Sequence, residues 1–216
     1  MLDLTAWSAA DRANICGVFT DIDDTLTTEG AITPDALQAL NDLRAAGLHV
    51  VPITGRPVGW SEPFAAQWPV DAIVAENGAV ALARDATAGT VRKIYQQSAE
   101  LRARNFSRLQ LMAQRIVNEV PGAVLARDSA GRETDIAIDH SEFVQLPPAA
   151  VARVVRLMRG EGMHATVSSI HINGWIGGYN KLTGARWIVR EALGRELQPE
   201  IDRWVYVGDS TNDVLM

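Results

Sequence analysis

The sequence has one cysteine, Cys16, no apolar run of membrane-spanning length and no excess of basic charge. A single thiol excludes a disulfide framework within the chain. Its place in the apolar run at 15–19 marks a small core residue rather than a reactive group. Twenty basic against 26 acidic residues leave a formal charge of −6, which supplies no basic face, so no nucleic-acid partner is expected. Met1-Leu2-Asp3-Leu4 lacks a basic region followed by an apolar core, so neither a signal peptide nor a membrane partner is expected. A reducing, cytoplasmic setting follows as the expectation. The histidines, His49, His140, His164 and His171, have no zinc-like spacing, and the chain carries no internal repeat. An anionic substrate must therefore be held locally, by a metal, a Lys, an Arg or a helix N-terminus.

What is present is core material. The chain has 216 residues, 47% of them hydrophobic, enough for one large domain or one domain carrying an insert. The run at 15–19 reads as a buried strand delivering Thr20-Asp21-Ile22-Asp23-Asp24-Thr25-Leu26-Thr27 at its carboxyl end. Thr33-Pro34 opens a helix with Leu37, Leu40 and Leu43 as its apolar stripe and Gly47 as its stop. Residues 48–53 read as a second strand ending in Thr54-Gly55-Arg56-Pro57, although Pro52 withdraws a ladder donor. Ala72–Ala75 reads as a third strand, closed by the turn Glu76-Asn77-Gly78. This alternation predicts an α/β fold with a doubly wound, parallel, Rossmann-like sheet.

The rhythm then changes. Residues 91–97 read as a strand, 99–120 as a long helix, and 123–127 and 134–138 as short strands. Pro147-Pro148 opens another helix, and 164–172 read as one further strand. Antiparallel strands with two helices predict an inserted α+β cap over 84–178, leaving 1–83 and 179–216 as a discontinuous core. Lys181–Leu193 reads as a helix, and Trp204–Val207 as a strand running into Gly208-Asp209-Ser210-Thr211-Asn212-Asp213.

Polar residues thus gather at the carboxyl edge of the sheet, where open α/β folds place their sites. Taken singly, Asp and Thr are ordinary turn and capping residues, and a Lys at a helix start is ordinarily solvated. Together they suit phosphoryl transfer, which needs a nucleophile, a proton donor and positive charge around the transferring group. A carboxylate can attack phosphorus to give an aspartyl-phosphate. Magnesium takes oxygen ligands and commonly one or two carboxylates, which Asp21 and Asp209 can supply. Lys181 can hold nucleophile and phosphate together, and Thr54 with neighbouring amides can bind phosphoryl oxygens.

On these motifs the chain resembles the haloacid dehalogenase superfamily, specifically its phosphatases with a large α/β cap inserted after the third strand (subfamily IIB). The similarity covers nearly the whole chain and is nearest the sucrose-phosphate and mannosyl-phosphoglycerate phosphatases. The first motif is Asp21 to Thr27, the second Thr54-Gly55-Arg56-Pro57, the third Lys181 and the fourth Gly208 to Asp213. Glu76-Asn77-Gly78 resembles the third-strand turn of the same subgroup. The resemblance implies that Asp21 attacks phosphorus and binds Mg2+. It implies that Asp23 protonates the leaving oxygen, activates the hydrolytic water and lends its carbonyl to the metal. Thr54 would bind the phosphoryl group, Lys181 would steady Asp21 and the phosphate, and Asp209 would complete the protein ligands. Asp213 would orient the metal shell or Lys181, and Asn212 would bind phosphate or a metal-bound water. Asp23 separates phosphatases and phosphomutases from dehalogenases, which lack this acid, and from ion-pumping ATPases, which place Thr there. Asp24 stands where Gly is commoner and reads as a turn residue. Family members continue through another helix and strand beyond the fourth motif, so the resemblance implies a shortened C-terminal end.

In this family the cap selects the substrate. Strand alternation puts Ser169, His171 and Asn173 on one face, which either reads sugar hydroxyls or is a solvated outer face. Gly55 and Arg56 join these as substrate-binding candidates, and Arg56 can meet the cap on closure. Arg127, Arg132 and His140 either contact a second anionic group or are exposed surface charges. Trp60 and Trp68 read as core or cap-contact residues. The leading expectation is a magnesium-dependent phosphatase acting on a small phosphorylated metabolite, a sugar phosphate. A phosphomutase on the same architecture and a non-catalytic module with a relic site are the alternatives.

Overall fold

The computed structural model describes residues 6–85, 89–209, 213 and 216. After a short helix α1 (Ala9–Ala13), β1 (Gly17–Thr20) lies mid-sheet. It pairs in parallel with β4 (His49–Pro52) on one side and β12 (Trp204–Val207) on the other. Gly17 is required there: a Cβ would stand 2.3 Å from the Trp204 ring, which itself stacks on Phe19 at 4.5 Å. A small hairpin, β2 (Thr27–Thr28) and β3 (Ala31–Ile32), leads to α2 (Pro34–Ala45). Thr33 caps α2 by accepting from the Ala36 amide, with Pro34 in the first turn, as the sequence predicts. Pro52 is tolerated because it is the last residue of its strand.

Helix α3 (Val58–Gln67) follows, then β5 (Ala72–Ala75), which joins β4 through the parallel bridge between Ile53 and Val74. Alternate residues bury on opposite faces. Val51, Ile53 and Val74 pack with Ile188 and Val189 of α6 (Lys181–Leu193), whereas Val50 and Ile73 pack with Leu40 and Val58. That double burial is what a parallel sheet requires.

Two elements depart from the sequence reading. The turn after β5 has positive φ at Glu76, Asn77 and Gly78, and it sends the chain back as β6 (Val80–Arg84), antiparallel to β5. β7 (Val91–Tyr95), expected in the insert, pairs with β6 at the edge of the core sheet. Hydrogen-bonded order is therefore β12-β1-β4 joined by the bridge to β5-β6-β7.

The cap sheet is antiparallel, in the order β10-β11-β9-β8. Its strands are β8 (Val124–Leu125), β9 (Asp135–Asp139), β10 (His164–Val167) and β11 (His171–Trp175). Helices α4 (Ala99–Glu119) and α5 (Pro148–Gly160) cover one face with a core of Leu109, Ile116, Ile138, Val154, Met158 and Ile172. Residues 164–172 form a hairpin, not the single strand expected. Ser168 turns the chain by accepting from the His171 amide through Oγ while its own N–H donates to the His171 carbonyl. Register places His164 beside Trp175 and Thr166 beside Asn173. These four and His171 share the sheet face opposite the helices, which is turned to the core domain. Among the described residues no helix is long and apolar enough to cross a membrane.

Candidate active site

Asp21 is buried at the carboxyl end of β1, its N–H bonded to the Val207 carbonyl of β12. The Ile22 carbonyl then accepts from the amides of Thr25, Leu26 and Thr27, making the tight turn that carries Asp23. Asp24 takes φ of +56°, a left-handed position that Asp tolerates better than most side chains. Lys181 Nζ, at the first position of α6, lies 3.1 Å from Asp21 Oδ1 and 2.6 Å from Asp213 Oδ1. Tyr206 also donates to Asp213. Gly208 leaves space for this group, since a Cβ there would stand 2.5 Å from Asp213 Oδ2.

Carboxylate oxygens of Asp21, Asp209 and Asp213 lie within 4.8 Å of one another, the first and third residues buried and Asp209 exposed. Burial pushes the Asp21 carboxyl up to about 6; Lys181 draws it down and Asp213 adds to the rise. Three carboxylates around one ammonium leave negative charge in surplus, and all the donors are hard oxygens. That set fits a divalent cation of the magnesium type.

Asp23 is gripped by Arg56, whose Nε lies 3.0 and 3.1 Å from its two carboxylate oxygens. The same guanidinium reaches two cap acids, Asp128 at 3.2 Å and Glu142 at 3.3 Å, and its Cζ lies 5.2 Å from the centre of the Trp60 ring. Burial raises the Asp23 carboxyl above its ordinary value against the pull of Arg56. His171 Nε2 lies 2.8 Å from the other oxygen of Glu142, and burial lowers its imidazole.

Thr54 is fully buried, and its Oγ1 accepts from the Arg56 amide, shaping the loop of the second motif. The Gly55 carbonyl accepts from Arg132 at 3.0 Å and Asn173 at 3.4 Å, both from the cap. Behind the loop, Glu76 accepts from the amides of Val58, Glu133 and Thr134 and from the Thr134 hydroxyl. Burial, then the charge of Asp135, pushes its carboxyl up to about 7.

One small cavity of about 30 Å³ brings together Asp21, Asp23, Gly55, Arg56, His171, Asn173 and Lys181. Asp209 and Asp213 belong to the acidic cluster beside it, and Asn212 lies outside the described residues. The buried face of His171 and Asn173 is no solvated outer face. Ser169 lines the cavity from the hairpin turn rather than from a strand. Arg132 is neither an exposed charge nor a free anion site: it is buried against Asp135 at 2.9 Å and also pairs with Asp128. Arg127 stacks on Phe143, and a His140 ring nitrogen hydrogen-bonds the Ser168 carbonyl. Trp68 is core. Asp128, Glu142 and the clasp made by Glu76 escape sequence reading. Their one local signal is a cluster of charges at strand ends, and their partners lie far along the chain.

Residues 18–107 match the family model of the haloacid dehalogenase-like hydrolases, which bears out the resemblance drawn from the motifs. No curated protein matches the chain. Among solved structures, a Thermoplasma acidophilum protein is similar at TM-score 0.72 and 17% identity, over 93% of this chain and 79% of that one. The C-terminal domain of C. albicans trehalose-6-phosphate phosphatase is similar at TM-score 0.67 and 12% identity, over 94% and 74%. The sucrose-phosphatase of Synechocystis, solved with sucrose and phosphate, is similar at TM-score 0.65 and 16% identity, over 92% and 77%. At identities this low the structural likeness shows the shared fold alone. The family match over residues 18–107 supports a hydrolase.

Proposed function

We propose that the chain is a magnesium-dependent phosphatase that hydrolyses a small phosphorylated metabolite, a sugar phosphate, through an aspartyl-phosphate. One observation carries the reading: a single ammonium, Lys181, bridges two buried carboxylates, Asp21 and Asp213, with Asp23 two residues from the first. Asp21 attacks phosphorus while Lys181 offsets the charge gathering on the phosphoryl oxygens. Asp23 gives its proton to the leaving alkoxide, and the burial that raises its carboxyl favours the protonated form this step needs. It then takes a proton from the water that splits the aspartyl-phosphate. Asp21, Asp209, Asp213 and the Asp23 carbonyl would hold the cation, which supplies further positive charge to the phosphoryl group. Gly55, Arg56, His171 and Asn173 would face the bound ester. The division into a core and an inserted cap belongs to the same proposal, with the cap's own sheet and helices as its support. So does a cytoplasmic setting.

A panel of phosphate esters assayed with magnesium, and again with chelator, tests the reading. The wild-type protein is expected to release phosphate only with the metal. Asp21→Asn is expected to abolish release while keeping the wild-type circular dichroism. No release from any ester with magnesium present would overturn the proposal.

A further inference from the structure

The Asp23 carboxylate is held through both oxygens by Arg56 Nε, at 3.0 and 3.1 Å, with Nη2 also 3.0 Å from Oδ1. A guanidinium is a rigid, planar fork of five N–H groups, so whatever holds its far side also sets the side that meets Asp23. Here the far side is held by the cap. Nη1 donates to Asp128 at 3.2 Å, and Nη2 donates to Glu142 Oε1 at 3.3 Å. The two acids differ in what else binds them. Asp128 is paired with Arg132, a buried cation that also donates to the Gly55 carbonyl. Glu142 places its other oxygen, Oε2, 2.8 Å from His171 Nε2. One carboxylate thus joins Arg56 of the core to His171 of the cap, and both of these line the phosphoryl cavity beside Asp23.

The place of Glu142 is itself fixed. Asp139, buried at the end of β9, accepts from the amides of Glu142 and Phe143, each at 3.0 Å. Asp139 is also the register partner of His171, the first residue of β11. The turn that carries Glu142 and the strand that carries His171 therefore start from one rung of the cap sheet. Burying ion pairs contributes little net stability, because desolvation offsets most of the attraction. What this chain of contacts supplies is direction. We propose that Glu142 is a positioning residue for the proton transfers of Asp23, acting from the cap through Arg56 and anchored a second time by His171. The proposal rests on the phosphatase reading and deepens it. Glu142 stands behind the cavity rather than in its lining, so its effect reaches the substrate only through the groups it holds. A carboxyl misplaced by about 1 Å is enough to slow a proton transfer by up to about 10²-fold.

A double-mutant cycle with Asp23, run on an alkyl and an aryl phosphate with magnesium, tests the assignment. Glu142→Gln keeps the shape and one acceptor oxygen, and so gives up one of the two anchors. It is expected to lower kcat for the alkyl phosphate by about tenfold. The first step on the aryl phosphate, whose leaving group takes no proton, is expected to stay within about twofold in pre-steady-state kinetics, as is competitive inhibition by inorganic phosphate. In Asp23→Asn protein, which has no proton to give, adding Glu142→Gln is expected to slow the alkyl phosphate by no more than about twofold further. A merely structural role would carry the same factor into both backgrounds. Glu142→Ala, which removes both anchors, is expected to give a larger loss with the same division between the ester classes. Equal losses for the two esters, a loss that multiplies with that of Asp23→Asn, or an unchanged alkyl kcat in both variants would overturn the proposal and leave the phosphatase reading standing. No phosphate release by the wild-type protein from any ester would overturn both.

Discussion

Asp23 and Arg56 form the most constrained pair in the site. Arg56 bridges three carboxylates, one from the first motif and two from separate parts of the cap, so it ties the proton carrier to the cap. A lysine offers a point charge and no planar fork, and does not reproduce this bridging. Asp23 has two tasks, and they separate by leaving group. Asp23→Asn is expected to lower kcat for alkyl phosphates by roughly 10²–10⁴-fold. For an aryl phosphate, whose leaving group needs no proton, the first step should survive and only the water step slow. Equal losses for both ester classes in pre-steady-state kinetics would contradict that division. Asp21, Asp23, Lys181 and Asp209 are legible as a set because each sits in a short local motif. Glu142 and Asp128 are not, because their partner Arg56 lies 86 and 72 residues away.

At the scale of elements, Lys181 is placed by glycines. Gly78 has φ of +110°, and a Cβ there would stand 2.3 Å from the Asn180 carbonyl. Gly184 meets it from α6, where a Cβ would lie 2.7 Å from the Gly78 Cα. The turn after β5 therefore presses directly on the helix start that presents Lys181, and Asn180 fixes that start with a capping box to Thr183. Gly78→Ala is expected to cost about 1–3 kcal/mol in denaturant unfolding. It should also lower kcat by up to about 10²-fold through displacement of the ammonium. Unchanged midpoint and unchanged kcat would contradict this packing. Helices α2, α4, α5 and α6 were legible because caps and apolar stripes are local: Thr33 and Pro148 do what their types suggest. β6 was not, because Val80–Arg84 follows the β5 turn closely and only the positive φ of that turn sends it antiparallel. The hairpin at Ser168 hid inside an apolar and polar alternation that continues through it.

At the scale of the whole molecule, buried polar groups hold the cap, beside a small apolar cluster of Ala79, Trp175 and Tyr179. Glu76 receives three amides and a hydroxyl, while Arg132 and Asn173, both bonded to Asp135, close on the loop at Gly55. Gly59 and Gly131 bring the two backbones together, where a Cβ on Gly59 would lie 3.1 Å from the Gly131 Cα. Such an interface is sensitive to protonation. Burial raises Glu76 to about 7 and raises Asp135 in the same direction. Each carboxyl therefore keeps its proton longer in the folded chain than in the unfolded one. The stability this contributes is whole below the ordinary carboxyl range and is lost as pH rises towards about 7. Melting temperatures at about pH 5 and about pH 7.5 should accordingly fall less in Glu76→Gln than in the wild type. An equal or larger fall in the variant would contradict the assignment.

The central claim is that Asp21 is the nucleophile, and it is tested most directly by the covalent intermediate. Asp23→Asn protein is mixed with magnesium and an aryl phosphate, quenched in acid within the first turnover, and digested for mass spectrometry. The account predicts a phosphoryl adduct on the peptide that carries Asp21. Phosphate release with no adduct, or an adduct on any other residue, would contradict it.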